Sequence, residues 1–374
     1  MKFDVSSSAL LARLQSISKV IASKNTLPIL DCFLFQLQDN KLIITASDVE
    51  TRLETTVDVM NVEGEGLFAI SAKILLEPLK KLPEQPLTFD INDDNLEIFI
   101  FFENGKYNFI GQKGDTYPQQ KPLGETTVML SMESQILLNG MNRTIFATAE
   151  DELRPVMNGI YFDIQDDNLT FAASDGHKLV RLRSNAVQSE GRASFILPKK
   201  PAILLKTLLA KTTDSVKIHF DENTAHVSTD NFKMVCRLIE GRYPNYNSVI
   251  PQDNPNKLTI DRSSFLYALE RVIVFSNPAS SLVKLNLLND LIVISAQDID
   301  FSTSAEEKIN CRYEGMDLNI GFKGTFLIEI LTNINASEIV LALADPSRSG
   351  VITPAQDEEK EELLMLLIDR KSVV

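Results

Sequence analysis

The stretch Ala173-Ser174-Asp175-Gly176-His177-Lys178-Leu179 stands near the middle of a 374-residue chain, and weaker copies of it lie on either side. The first part of the chain carries Ala46-Ser47-Asp48-Val49-Glu50-Thr51-Arg52-Leu53, and the last carries Ser295-Ala296-Gln297-Asp298-Ile299-Asp300. Asp48 and Asp175 are 127 residues apart, and Asp175 and Asp298 are 123 apart. A second set of marks keeps the same intervals: Lys73 after Phe68-Ala69-Ile70-Ser71-Ala72, Lys200 after Phe195-Ile196-Leu197-Pro198-Lys199, and Lys323 after Ile320-Gly321-Phe322. Two marks in one register predict three copies of a domain-sized unit, each able to bury a core of its own. The boundaries that follow are 1–124, 125–253 and 254–374.

Each copy opens with a short strand and an amphipathic helix. Ser6-Ser7-Ser8 caps a helix with Leu10, Leu11, Leu14, Ile17, Val20 and Ile21 at helical spacing. Ser131-Met132-Glu133-Ser134 precedes Ile136, Leu137, Met141 and Ile145, and Asp261-Arg262-Ser263-Ser264 precedes Phe265, Leu266, Leu269, Val272 and Ile273. Runs such as Lys41-Leu42-Ile43-Ile44-Thr45-Ala46, divided by Asn, Asp and Gly turns, read as antiparallel strands. A second helix begins at each lysine mark, with Pro78 as a kink in the first. The expected fold class is α+β: three tandem similar domains, each with two helices on an antiparallel sheet.

Composition is that of a globular protein, with no leader and no span of some 18 apolar residues, so a cytoplasmic protein without membrane contact is expected. Cys32, Cys236 and Cys311 lack metal-ligand spacing and read as reduced core residues. The net charge of −14 argues against a polyanionic partner until its distribution is considered. Helices expected over 7–24, 71–81, 131–149, 198–211, 262–276 and 322–334 carry +3, +2, 0, +4, +1 and 0, a total of +10, which leaves about −24 on strands and loops. Helices sharing one surface would form a basic track suited to duplex backbone, with little capacity to read sequence.

An enzyme would have to use Asp175 and His177; His219 and His226 lack a third ligand at metal spacing, and neither a phosphate loop nor a nucleophile elbow is present. No catalytic residue, metal or cofactor is expected. An interaction scaffold of the same fold without a basic surface is a further alternative.

Three repeats, basic helices and Ser174-Asp175-Gly176-His177-Lys178-Leu179 together resemble the bacterial DNA polymerase III β subunit, the β sliding clamp family. Asn25-Thr26-Leu27-Pro28-Ile29-Leu30, Arg154-Pro155-Val156-Met157-Asn158-Gly159 and Glu240-Gly241-Arg242-Tyr243-Pro244-Asn245-Tyr246 extend the resemblance over essentially the whole chain. It implies a head-to-tail homodimer closing a six-domain ring around double-stranded DNA, without sequence preference, to tether the replicative polymerase. Polymerase and clamp loader would dock through short linear motifs. By resemblance, Lys24, Lys73, Lys80, Lys81, Lys199, Lys200 and Lys206 line the hole. Met157, Ser174, Gly176, His177, Lys178, Leu179, Pro244, Val249, Leu366 and Ile368 form the partner pocket, and Tyr107 and Phe109 meet Val274 and Phe275 at the dimer interface. The family's apolar end is replaced here by Asp369-Arg370-Lys371-Ser372-Val373-Val374. That departure leaves open a specialised paralogue with an altered partner pocket.

Overall fold

The computed structural model describes all residues except 120–122, 125–126, 190, 346–347, 357–358, 369 and 372–374. Six α-helices lie among the described residues: α1 (Ser7–Ile17), α2 (Ala72–Leu79), α3 (Ser134–Thr144), α4 (Lys199–Leu209), α5 (Arg262–Val272) and α6 (Gly324–Asn333). Their starts follow local chemistry. Ser6 caps α1 by accepting from the Ala9 N–H at 3.1 Å, and Asp261 caps α5 by accepting from the Ser264 N–H at 2.7 Å. Leu10, Leu14 and Ile17 are buried along one face of α1. The helices are shorter than periodicity suggests, because α1, α3 and α5 tighten into 3-10 turns at Ser18–Val20, Ile145–Ala147 and Ile273–Phe275. Pro78 sits one residue from the end of α2 and helps to end it.

The chain divides into two compact units, Met1–Ser134 with Thr207–Leu238, and Gln135–Lys206 with Ile239–Val374. Among the described residues, each unit holds one nine-stranded and one five-stranded antiparallel sheet. A repeat therefore does not own a single sheet; its strands divide between two.

In the first unit, Gln112–Lys113, Gly66–Ser71, Cys32–Gln38, Lys41–Ser47 and Thr51–Asp58 come from the first repeat, and Phe232–Arg237, Thr224–Ser228, Ser215–Phe220 and Val128–Glu133 continue the same sheet from the second. The second unit repeats this plan. Ala193–Pro198, Gly159–Ile164, Leu169–Ser174 and Lys178–Ser184 are joined by Glu361–Leu367, Gly350–Pro354, Glu338–Leu343, Asn256–Asp261 and Arg312–Glu314. Among the described residues, the end strands of the five-stranded sheets include Gly105–Ile110 in the first unit and Thr303–Asn310 in the second, each paired on one side.

The two junctions use one register. Leu53 pairs with Met234 at the first, and Val180 pairs with Met365 at the second. Leu53 and Val180 hold the same place, each opposite the alanine two residues before the landmark aspartate, and Ala305 is the third member of that set. Counting inward from the pairs Phe3–Phe89, Leu130–Ile218 and Leu258–Leu341 brings Tyr107, Met234 and Met365 to matching places on the other side.

This register corrects the lysine mark. From Asp298 to Ala305 is two residues longer than from Asp175 to Val180, so everything after that turn is displaced by two. Lys323 then matches Pro198 and Ser71 as the last residue of its strand, whereas Lys73 and Lys200 are second residues of helices. The aspartate mark holds in all three repeats. Of the cysteines, Cys32 and Cys236 are buried and Cys311 is only half-buried.

Candidate functional site

The landmark aspartates are turn formers. Asp48 Oδ1 accepts the N–H groups of Glu50 and Thr51 at 2.8 and 2.6 Å, Asp175 Oδ1 those of His177 and Lys178 at 2.8 and 2.9 Å, and Asp298 Oδ1 that of Asp300 at 2.9 Å. A carboxylate that satisfies two backbone donors closes a tight connection between antiparallel strands. Ser174 Oγ accepts from the Gly176 N–H at 3.1 Å and donates to Lys178 O at 2.8 Å. Gly176 has φ +90, a backbone conformation that favours glycine, while the nearest atom to a Cβ there, Arg154 Nη1 at 2.9 Å, is the movable end of a long side chain.

The other oxygen of Asp175 accepts from Lys178 Nζ at 2.6 Å, and Lys178 also reaches Glu329 on α6 at 3.0 Å. Burial pushes the Asp175 carboxyl up, but the bonds from Lys178 and the two backbone N–H groups outweigh it and hold the carboxyl below its ordinary range. Burial pulls the Lys178 ammonium down, and its two carboxylate partners more than restore it. Phe326 of α6 stacks on His177 at 5.4 Å and lies under the ammoniums of Lys178 and Lys323 at 4.9 and 4.5 Å. Asp175 is thus committed to the turn and to Lys178, which opposes its use as a general base beside His177.

Of the residues the resemblance assigns to a partner pocket, Leu179 and Leu366 pair across the second junction and are buried in one apolar cluster with Tyr243 and Tyr246. Ile368 packs against that cluster, and its N–H donates to His177 O at 2.7 Å. Met157 is buried at the end of the turn Pro155–Met157, while His177, Pro244 and Val249 are exposed. The side chains of Ser174 and Lys178 are buried and engaged in the turn, so their part is to hold it. Sequence reasoning missed Val156, Tyr243, Tyr246 and Ile250 around the cluster and Phe326 beneath the turn. The two tyrosines were visible in Glu240–Tyr246, where Tyr243 stacks on Tyr161 at 4.8 Å and Tyr246 Oη donates to Asp163 Oδ2 at 2.8 Å. Of the altered tail, Arg370–Lys371 adds a short strand to Leu318–Lys323; Asp369 and residues 372–374 lie outside the described residues.

The basic residues fall in three settings. Lys24, Lys73, Lys81, Lys200 and Lys206 are exposed. Lys80 is also exposed but lies 2.7 Å from Glu77. Lys199 is half-buried and 2.6 Å from Glu150. Tyr107 and Phe109 are half-buried on the end strand Gly105–Ile110, whose Ile110 is 78% exposed. Val274 and Phe275 are exposed in the turn after α5. Among the described residues no helix is long and apolar enough to cross a membrane.

Family comparison matches three successive stretches of the chain. The DNA polymerase III beta subunit models match with their N-terminal domain over 1–121, their central domain over 131–245 and their C-terminal domain over 247–367. The chain is similar to the beta sliding clamp of Pseudomonas putida, 26% identical over 366 residues that span 98% of this chain and 99% of the relative. It is also similar to the beta sliding clamp of Staphylococcus aureus, 24% identical over 374 residues and 98% of both chains. Among solved structures, the Pseudomonas aeruginosa DnaN sliding clamp bound to griselimycin superposes over 100% of both chains with a TM-score of 0.93 at 24% identity. The Bartonella birtlesii DnaN sliding clamp bound to griselimycin does so with a TM-score of 0.91 at 26% identity.

Proposed function

The chain belongs to the DNA polymerase III beta subunit family, and on that premise we propose that it is a sliding clamp, a closed ring that holds duplex DNA and keeps the replicative polymerase at the primer end. The observation that carries this reading is the pair of unsatisfied sheet ends. Twice within the chain, the strand after a landmark turn pairs with the last long strand of the following repeat, in the same register. The third repeat leaves its corresponding strand, Thr303–Asn310, at an edge, and the first repeat leaves Gly105–Ile110. Exposed edges are templates for pairing, and each needs what the other offers.

Applied to a second copy, the register sets Ala305 opposite Tyr107 and Glu306 opposite Lys106. The first junction has the same ionic arrangement, with Glu54 opposite Lys233 at 3.5 Å. Ile110 falls against the turn that carries the exposed Ile299 and Phe301, and Phe109, Val274 and Phe275 supply further apolar surface. Such a heterologous contact closes after two copies if the rotation per chain is a half-turn. The division 1–124, 125–253 and 254–374 then gives six similar domains in the ring.

Lys24, Lys73, Lys81, Lys200 and Lys206 supply phosphate contact; Lys80 and Lys199 are partly offset by neighbouring carboxylates. Contact with phosphate alone is weak and blind to sequence, so the ring slides, and enclosure rather than affinity retains it. Partners carrying a short hydrophobic motif dock around Leu179, Leu366 and Ile368, reached from His177, Pro244 and Val249. Tethering raises the polymerase's effective concentration at the primer end. The protein needs no catalytic group or cofactor for this and works in the cytoplasm. The test is primer extension on circular template with clamp loader and replicative polymerase: this protein should lengthen products per binding event, and unchanged product length would reject the reading.

A further inference from the structure

A groove at the first junction occupies the place that the apolar cluster occupies at the second. Arg52 and Glu54 alternate with the buried Thr51, Leu53 and Thr55 along one strand, and Lys233 and Val235 alternate with the buried Phe232, Met234 and Cys236 along its neighbour. A cavity of about 370 Å³ opens on that face, and His219 and His226, directly opposed across their hairpin, line it too.

The shared register makes the comparison residue by residue. Arg52 stands where Leu179 stands, Lys233 for Leu364, Val235 for Leu366, and His226 for Val351. Leucines have been exchanged for cations while one apolar position is kept. Arg52 is held in place by donating from Nη1 to Pro118 O at 3.0 Å and from Nη2 to Thr45 Oγ1 at 3.4 Å, and it lies 5.9 Å from the centre of the Tyr117 ring. Its Nε is buried and has no hydrogen-bond partner among the described residues. A buried guanidinium donor left unmet favours a carboxylate, which can take two parallel N–H bonds. The carboxylate on the wall, Glu54, is engaged with Lys233 at 3.5 Å, and Lys233 is 70% exposed, so exchange of that pair for another carries little cost.

We propose that this groove docks an extended peptide segment of a partner protein that bears an acidic side chain beside an apolar one. The carboxylate meets Arg52, a second acidic group meets Lys233, and the apolar side chain rests on Val235. The inference goes beyond the clamp reading and does not rest on it.

Fluorescence polarisation on the full chain tests it, with a fluorescein-labelled Glu-Leu-Glu-Leu-Phe peptide and its Gln-Leu-Gln-Leu-Phe counterpart. The acidic peptide should bind saturably and at least about ten-fold tighter, and Arg52→Gln and Lys233→Gln should each weaken it by about ten-fold or more. Val249→Asp removes binding of the Leu-Phe end at the second junction, and in that background the advantage of the acidic peptide over its amide counterpart should remain. Lys233 is exposed and its variant keeps the fold, so it decides the matter if Arg52→Gln melts early. Equal affinity for the two peptides, or full affinity in Lys233→Gln, overturns the proposal. Displacement by inorganic phosphate at the peptide's own concentration also overturns it, since the groove would then be a small-anion site.

Discussion

Ile110→Ala is the sharpest probe of the ring's closure. Ile110 is 78% exposed at the end of an edge strand, so truncating it should leave the melting temperature of a lone protomer nearly unchanged. The proposed pairing covers the same side chain with the turn that carries Ile299 and Phe301 in the second copy. Burial is worth about 0.8 kcal/mol per carbon group, and alanine removes three, of which roughly three quarters of the surface is free in the protomer. The loss is then roughly 2 kcal/mol per interface, and roughly 4 kcal/mol for a dimer with two, or nearly three decades in its dissociation constant. Sedimentation equilibrium over a dilution series reads that constant, and differential scanning calorimetry reads protomer stability. A shift of less than about threefold with an unchanged melting profile would refute the pairing of Gly105–Ile110 with Thr303–Asn310.

Phe275→Asp places a charge where the proposed interface covers apolar surface, at a cost of several kcal/mol, and should give monomers by light scattering at micromolar concentration. Neutralising Lys24, Lys73 and Lys200 together to glutamine, six lysines in a two-copy ring, should weaken DNA binding alike for all sequences and reduce the slope of log affinity against log salt by up to about 5; electrophoretic titrations at several salt concentrations check it. Val249→Asp, at the exposed rim of the apolar cluster, should weaken a hydrophobic clamp-binding peptide by about ten-fold or more in fluorescence polarisation. Asp175→Asn should destabilise the second unit by roughly 1–3 kcal/mol at neutral pH, since Lys178 would keep only Glu329 as a carboxylate partner. Because the folded carboxyl is held below its ordinary range, its contribution is complete above the unfolded value near 3.9 and disappears as pH falls through the folded one. Melting temperatures of the two proteins should therefore converge only below about pH 4.

What could be read from the sequence depended on how local its chemistry was. Asp48, Asp175 and Asp298 marked the repeats truly because each satisfies backbone donors within three residues, a demand that fixes both residue type and place. Lys323 misled because it shares only an interval with Lys73 and Lys200; two extra residues after Asp298 restored the interval while changing the position. Helix starts followed their caps, but the ends ran long, since apolar periodicity continues through Val20 and Ile145 where the backbone has already tightened. Alternation revealed strands without revealing partners, so the sharing of sheets between repeats could not be read. The site divided in the same way. Leu179 and Leu366 lay within stretches that carry the resemblance, whereas Phe326 lies about 150 residues from His177 and has no local mark. The free edges at Ile110 and Thr303–Asn310 are a property of pairing and exposure, which the one-dimensional pattern does not contain.

The central claim, that the protein retains DNA by enclosing it, is tested by loading it with a clamp loader onto nicked circular duplex, passing the mixture through a sizing column at high salt, and repeating the passage after a single restriction cut. Topological retention predicts that protein co-elutes with the circle at salt concentrations that abolish phosphate contact, and separates from the DNA once it is linear. Protein that leaves the intact circle as readily as the cut one would contradict the account.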